Sequence, residues 1–173
     1  ADAVAILSSI NDKKDAISSS INDKNAYLCS RVLFQWQRSM TKDLIKILIS
    51  EYQAYVAQVK LVPRDVAFME GQNYVFVGLR HAGKSYLMFQ RIAQLIAQGH
   101  KREEILYFNF EDDRIDSLEL SDLDLIKTCY EEMYDCRPIF FLDEIQLVDR
   151  WEKFARRLAD QKYQVYITGS NAK

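Results

Sequence analysis

The chain has 173 residues, of which 49% are hydrophobic and 28% are charged, and its net charge is −2. This length and composition predict a globular protein with a full core and exclude a disordered chain. The near-neutral charge gives no global indication of a nucleic acid or an anionic membrane as partner. The three cysteines include no C-x-x-C pair and favour neither a disulfide framework nor a zinc site. No signal peptide and no bilayer-spanning apolar run is visible, so we expect a cytoplasmic protein without a membrane partner.

Residues 1–39 are predicted to form a helical N-terminal extension. The stretch "SSINDKKDA" at 8–16 recurs as "SSINDKNAY" at 19–27, and a shift of eleven residues keeps the same helix face. The apolar stripe on that face needs a partner surface. Packing on this chain's own core and self-association with another chain both stay open.

Residues 40–72 are predicted to be a second segment. A helix pattern covers 41–59, and Pro63 and Gly71 then interrupt it. We therefore place a linker there, and a domain boundary near residue 72.

The segment 73–173 alternates short apolar runs with helical patterns. Continuous runs such as "YVFV" and "ILYFNF" are typical of strands buried on both faces. The alternation predicts an α/β fold with a mostly parallel sheet covered by helices on both sides. Capping-box spacing marks two helix starts, at Ser121 with Asp124 and at Asp149 with Glu152. We expect strands over 74–77, 105–110, 138–144 and 164–169, and helices over 85–99, 121–136 and 149–161.

The stretch "GLRHAGKS" at 78–85 lies between the first predicted strand and the helix that follows it. It has the G-x-x-x-x-G-K-S pattern of a phosphate-binding loop, in the strand–loop–helix setting that such a loop requires. Its glycines permit a tight turn with N–H groups pointing inward, and the helix N-terminus favours an anion at the same place. Lys84 would reach the β- and γ-phosphates of a nucleotide, and the Ser85 hydroxyl would bind Mg²⁺. The residues expected at the nucleotide are Gly78, Arg80, His81, Ala82, Gly83, Lys84, Ser85 and Tyr86, with His81 at the loop tip as either a phosphate contact or an exposed spectator.

Two carboxylates end the third predicted strand. Asp143 and Glu144 would lie at the carboxyl edge of the parallel sheet, where ligands bind. Asp143 can hold Mg²⁺ through its water shell, and Glu144 can polarise an attacking water as the catalytic base. By itself such a pair could also be a solvated acidic loop. The acidic residues at 111–113 either approach the metal or form a solvated turn.

The last predicted strand ends in small polar residues. If this strand lies between the first and third strands, Ser170 or Asn171 would reach the γ-phosphate or the attacking water. Asn171 is preferred for this catalytic sensor role over Thr168 and Ser170, and a plain strand-to-helix turn is the alternative.

The helix over 149–161 is partly basic. A solvated helix face is the simpler interpretation, and a surface for nucleic acid or another partner is the second one. Its cations and the next one along the chain are Arg150, Lys153, Arg156, Arg157 and Lys162.

Four stretches, "GLRHAGKS", "LYFNFEDDRI", "FFLDEIQLVDRWEKFARRLAD" and "YITGSNAK", resemble in this order a family of prokaryotic ATPases of the AAA superfamily. The resemblance covers about residues 60–173. It implies a three-layer P-loop NTPase fold with strand order 5-1-4-3-2, ATP as the nucleotide, and hydrolysis to ADP and phosphate that drives a conformational change. The family's Walker A residues map to Gly78, Gly83, Lys84 and Ser85, its Walker B pair to Asp143 and Glu144, and its sensor to Ser170 and Asn171. The sequence departs from the family at Leu79, where members usually carry proline, and at Tyr86, where they carry a second hydroxyl.

The resemblance also implies a fifth strand, a helical lid and a C-terminal domain beyond Lys173. We therefore expect 73–173 to be a truncated ATP-binding core whose first strand is an exposed sheet edge, a second candidate surface for self-association. Hydrolysis is expected to be slow because an arginine finger is missing. Two other functions stay open: a phosphotransferase that passes the γ-phosphate to a small acceptor, and a non-catalytic interaction module that keeps ATP as a structural ligand.

Overall fold

The structure is a computed structural model, and it describes residues 42–115 and 118–170. These residues belong to one compact unit of the chain, Lys42–Lys173. The predicted helices of 1–39 and the preferred sensor residue Asn171 lie outside the described residues.

Helices and strands alternate along the described chain. After helix α1 at 42–56 come β1 (Tyr74–Gly78), α2 (Lys84–Ala97), β2 (Ile105–Asn109), α3 (Leu120–Tyr134), β3 (Ile139–Asp143), α4 (Trp151–Asp160) and β4 (Val165–Ser170). Short 3-10 turns occupy Arg102–Glu104, Asp113–Ile115 and Ile145–Leu147. Among the described residues, no helix combines the length and the apolar character needed to cross a membrane.

The four strands form one parallel sheet in the order β1-β4-β3-β2. This confirms the predicted α/β fold and the relative order of these strands. β4 lies between β1 and β3, as the sensor hypothesis required. The carboxyl ends of β1, β4 and β3 therefore meet at the sheet edge where parallel α/β proteins bind ligands.

A row of aromatic side chains crosses the sheet at one register. Tyr74, Tyr166, Phe141 and Tyr107 are neighbours on successive strands. The ring centroids of Tyr74 and Tyr166 are 5.6 Å apart, those of Tyr166 and Phe141 are 4.5 Å apart, and both pairs are nearly parallel. Side chains two positions apart in a strand share a face. Asp143, two residues after Phe141, consequently lies on the same face as this row.

Helices cover the two faces of the sheet separately. Phe89 of α2 packs edge-on against Tyr107 at 5.1 Å, so α2 lies over the aromatic row. Phe154 of α4 packs edge-on against Phe140 at 6.2 Å. Because Phe140 and Phe141 point to opposite faces, α4 lies on the other side of the sheet.

Helix α1 covers the β2 edge of the sheet. The Tyr52 hydroxyl donates to the Asn109 carbonyl at 3.2 Å, and Gln53 Nε2 donates to the Ile105 carbonyl at 3.5 Å. These hydrogen bonds satisfy backbone carbonyls at both ends of β2. Unpaired carbonyls on an edge strand could otherwise pair with another chain. The apolar side of α1 is fully buried at Ile45, Leu48 and Ile49.

The opposite edge strand, β1, is less covered than its sequence suggested. Val75 and Val77 are 59% and 60% exposed, so the prediction that "YVFV" is buried on both faces is wrong for one face. Val75 and Val77 lie on the face of Phe140 and Leu142, where α4 packs against β4 and against α3, and their exposure shows that the described helices leave this side of β1 uncovered. The only strand paired with β1 in the described chain is β4, as expected for a sheet edge.

Both predicted helix caps are wrong in position. Helix α3 begins at Leu120, and the Glu119 N–H donates to Asp122 Oδ2 at 2.8 Å, so the cap lies two residues before Ser121. Helix α4 begins after Arg150, whose backbone is left-handed with φ 58°, and no side chain caps it. Because of the turn at Arg150, the Asp149 carboxylate does not hydrogen bond to the first amides of the helix. This carboxylate instead accepts from the Arg150 guanidinium at 3.2 Å.

Candidate functional site

The loop after β1 has the backbone that a phosphate cradle needs. Gly83 precedes α2 in the left-handed region with φ 80°, and its Cα faces the Arg64 guanidinium, which a Cβ at this position would have to displace. His81 at the exposed loop tip is also left-handed, with φ 60°. The first N–H groups of α2 have no partner within the helix, and together with its dipole they favour an anion.

Lys84 connects this loop to the end of β3. Its side chain is buried, and Nζ donates to the carbonyls of Leu79 at 3.0 Å and Gly78 at 3.4 Å. The same ammonium lies 3.2 Å from Glu144 Oε1. The first and second predicted motifs therefore meet in space through an ion pair.

Asp143 is a buried carboxylate with both oxygens hydrogen bonded. It is 3% exposed, and Oδ2 accepts from the Tyr107 hydroxyl at 2.7 Å while Oδ1 accepts from the Thr168 hydroxyl at 2.5 Å. Thr168 Oγ1 in turn accepts from the Glu144 N–H at 2.7 Å. These bonds fix the carboxylate plane and join β2, β3 and β4 at the site.

Glu144 follows β3 in the left-handed region, with φ 56°. Its Oε2 accepts from Gln146 Nε2 at 2.5 Å. Burial raises the pKa of the Glu144 carboxyl, but hydrogen bonds from Gln146, Ser170 and Lys84 lower this pKa below its ordinary value. The carboxylate is therefore ionised at neutral pH, as a general base must be.

A cavity of about 590 Å³ opens between the loop and the ends of β2 and β3. Aromatic side chains from α1 and α2 also line it. Gly78, the last residue of β1, and Ala82 in the loop do not line the cavity. Of the predicted residues, those that line it are Arg80, His81, Gly83, Lys84, Ser85, Tyr86, Asp143 and Glu144.

The two arginines at the cavity are already paired with carboxylates. Arg80 forms an ion pair with Glu111. Arg114 pairs with Asp112 at 2.8 Å and with Glu51 at 2.7 Å. Glu111 and Asp112 of the predicted acidic turn are therefore each paired with an arginine.

Oxygen ligands for a cation are present but few. Within 42–115 and 118–170, no group of three or more His, Cys, Asp or Glu side chains could hold a metal ion. Ser85 and Asp143 both line the cavity and offer the oxygen donors that Mg²⁺ prefers. Phosphate and water oxygens would have to complete its coordination.

Sequence reasoning missed two residues of the site. Tyr107 lies inside an apolar run, and only the register that pairs it with Phe141 places its hydroxyl at Asp143. Gln146 has no motif of its own, and the turn after Glu144 alone brings it back to the site. The sensor candidates Thr168 and Ser170 end β4 beside Glu144.

The basic helix is α4. Arg157 Nη2 donates to Asp124 at 2.7 Å, and Arg150 is held by Asp149. The charge of Arg157 in α4 and that of Arg150 just before the helix are thus balanced locally, and a nucleic-acid surface stays a prediction.

The sequence of this chain is similar to those of known proteins. A family model described as an AAA domain matches residues 70–173. An uncharacterised protein of Methanocaldococcus jannaschii is 35% identical over 134 residues, which are 76% of this chain and 29% of that protein. An uncharacterised protein of Haemophilus influenzae is 35% identical over 105 residues, 57% of this chain and 25% of that protein. The chain thus spans less than a third of the length of either relative, and no solved structure matches it.

Proposed function

Because this chain belongs to the AAA domain family, we propose that it binds ATP with Mg²⁺ and hydrolyses it to ADP and phosphate. In the whole protein this reaction would drive a conformational change. The observation that carries the proposal is the 3.2 Å ion pair between Lys84 and Glu144, which lies beside the buried Asp143. It joins a phosphate-loop lysine to a candidate base at the carboxyl edge of a parallel sheet.

The loop residues bind the phosphates in this proposal. Backbone N–H groups between Arg80 and Tyr86 surround the β-phosphate, and the α2 dipole adds to their attraction. Lys84 at present donates to two carbonyls of its own loop. Phosphate oxygens are stronger acceptors for an ammonium than neutral carbonyls, so the lysine would turn to the β- and γ-phosphates.

Ser85 and Asp143 are the residues that would hold Mg²⁺. A hydroxyl and a carboxylate suit this hard cation, and Asp143 is held ready by Tyr107 and Thr168. When bound, the cation would neutralise charge on the phosphates.

Glu144 acts as the general base in this proposal. Its ionised carboxylate would accept a proton from the water that attacks the γ-phosphate. When Lys84 turns to the phosphates, its ion pair with Glu144 would break. Glu144 Oε1 would then be free to face that water.

Hydrolysis by this chain alone is expected to be slow. An arginine beside the γ-phosphate can raise the rate by several orders of magnitude. Among the described residues that line the cavity, Arg80 and Arg114 are each held by carboxylates. A cation from elsewhere is therefore needed for fast turnover.

The phosphotransferase alternative receives less support from the same contacts. If the small acceptor is an anion, it would need an unpaired cation in the cavity, and Arg80 and Arg114 there already face carboxylates. Water is the acceptor that needs no further recognition.

Titration of the purified chain with a fluorescent ATP analogue and Mg²⁺, followed by a phosphate-release assay, tests the proposal. We expect micromolar binding that Lys84→Ala abolishes and that Lys101→Ala, at an exposed position, leaves unchanged. Glu144→Gln should retain binding and remove residual hydrolysis. Equal binding by the wild type and Lys84→Ala would exclude the phosphate cradle. Tight binding that yields no phosphate, even at high protein concentration, would favour the non-catalytic module.

A further inference from the structure

We propose that Gln146 is a positioning residue that orients the Ser170 hydroxyl and the Glu144 carboxylate together toward the γ-phosphate of a nucleoside triphosphate. The inference rests on the proposed function of the site. It assigns a role to a side chain that lies outside the phosphate loop and the acidic pair.

The contacts of Gln146 link the ends of two strands. It belongs to the 3-10 turn Ile145–Leu147, which follows Glu144 directly and turns its amide back to the site. Nε2 donates to Glu144 Oε2 at 2.5 Å and to Ser170 Oγ at 3.2 Å. An amide NH₂ has two hydrogens, so both are used and the direction of the group is fixed.

The other end of the amide argues for a role in the site over a role in stability. Gln146 Oε1 is buried and has no hydrogen-bond partner among the described residues. It lies against Gly169, where a Cβ would be 3.3 Å away. Exchanging the two ends of the amide would turn Oε1 toward a carboxylate, which only accepts. Since a buried acceptor without a partner is unfavourable, an apolar side chain of the same length should fold at least as well.

The contact with Ser170 determines where its hydroxyl hydrogen can point. Because Ser170 Oγ accepts from Gln146, its hydrogen points away from the amide, and its hydrogen bond to Glu144 helps to lower the pKa of that carboxyl. Ser170 ends β4, between the loop after β1 and Glu144 after β3. In the proposed complex a γ-phosphate oxygen would be a second acceptor for this hydroxyl, and a nucleoside diphosphate lacks it. Gln146 should therefore influence the binding of ATP and leave the binding of ADP unchanged.

Calorimetric titration with ATP and with ADP, each with Mg²⁺, tests the inference on Gln146→Met, Ser170→Ala and the double variant. We expect each single variant to weaken ATP about five- to tenfold and to leave ADP within about twofold. The double variant should be no weaker than the weaker single one, because the two residues act as a unit. Gln98→Met, at an exposed position after α2, is the matched control and should change neither affinity. Thermal unfolding should show Gln146→Met to be as stable as the wild type.

Four results would overturn the inference. If the wild type binds neither nucleotide, the proposed function fails and this role falls with it. If Lys84→Ala abolishes ATP binding but Gln146→Met leaves the ratio of ATP to ADP affinity unchanged, the proposed function stands and only the role of Gln146 is wrong. An equal loss for both nucleotides, or additive losses in the double variant, would show a general structural effect. Should Gln146→Met fail to fold, Gly169→Ala, which presses on Oε1 and keeps the amide, must lower the same ratio.

Discussion

The Tyr107 hydroxyl donates a 2.7 Å hydrogen bond to Asp143 Oδ2 from the neighbouring strand. Burial, reinforced by the negative charge of Asp143, raises the pKa of this phenol far above its ordinary value. Tyr107 therefore stays protonated and remains a donor across the neutral range. The carboxylate that we propose for Mg²⁺ is thus oriented by a residue that no phosphate-binding motif contains.

Tyr107→Phe removes this donor and keeps the ring. We expect the affinity for ATP with Mg²⁺ to fall about three- to tenfold, because the carboxylate is held less firmly. The affinity measured in EDTA should stay the same. Tyr163→Phe is the control, since its hydroxyl bonds Glu131 at 3.2 Å beside the other face of the sheet. Equal losses with and without Mg²⁺ would contradict a role at the cation.

The linker before β1 offers a second prediction, on stability. The Arg64 N–H donates to Gln90 Oε1 and Gln90 Nε2 donates to the Arg64 carbonyl, both at 2.8 Å. Gln90→Leu breaks both bonds, and we expect the free energy of unfolding to fall by about 1–2 kcal/mol. Urea denaturation measures it, with Gln98→Leu at an exposed position as the control. Equal stability of the two variants would show that water replaces the two hydrogen bonds between Arg64 and Gln90 without loss of stability.

Gly83→Ala and Gly99→Ala form a matched pair. Both glycines are left-handed, with φ 80° and 104°, so each alanine strains the backbone by about 1–2 kcal/mol. At Gly99 a Cβ meets nothing within 4 Å, whereas at Gly83 it meets the Arg64 guanidinium. Since a long side chain can move aside, the losses of stability should be similar. Only Gly83→Ala should abolish binding of the ATP analogue, because it alone lies in the cradle, and intact binding by that variant would exclude the loop as the phosphate site.

The fold was predictable where the sequence pattern is local and strong. Buried runs such as "ILYFNF" and the phosphate-loop pattern fixed the type and order of the elements around them. The exposure of Val77 was not predictable, because whether a helix covers that side of β1 depends on tertiary packing. The cap of α4 was missed because a left-handed Arg150 cannot be read from residue type.

The candidate site divides in the same way. Lys84 and Glu144 stand sixty residues apart in the chain, and their motifs alone indicated that they meet. Tyr107 and Gln146 belong to no motif that would have indicated their place in the site. Strand register brings the first to Asp143, and a tight turn brings the second to Ser170. Motifs thus indicate the groups that we propose to contact a ligand, whereas the groups that orient them appear only in the folded chain.

The last prediction concerns how the stability of the protein depends on pH through Asp112. The Arg114 guanidinium donates to both oxygens of Asp112 at 2.9 and 2.8 Å, and Tyr52 donates to Oδ2 at 2.8 Å. These hydrogen bonds, with Arg114 foremost, hold the pKa of Asp112 well below its ordinary range. A carboxyl whose pKa is depressed in the folded state stabilises the protein above its unfolded pKa of about 3.9, and this contribution is lost as pH falls through the folded pKa.

Asp112→Asn should therefore lower the free energy of unfolding by about 1–2 kcal/mol at neutral pH. The difference from the wild type should shrink as pH falls below about 4, because the unfolded wild-type chain then binds a proton at Asp112 while the folded carboxyl is still held ionised. Urea denaturation at a series of pH values measures it. Asp113→Asn, at the exposed neighbouring position, is the control and should track the wild type throughout. A difference for Asp112→Asn that stays constant down to pH 2 would mean that the substitution acts through its shape, and that the charge on Asp112 does not hold Arg114 and Tyr52 in place.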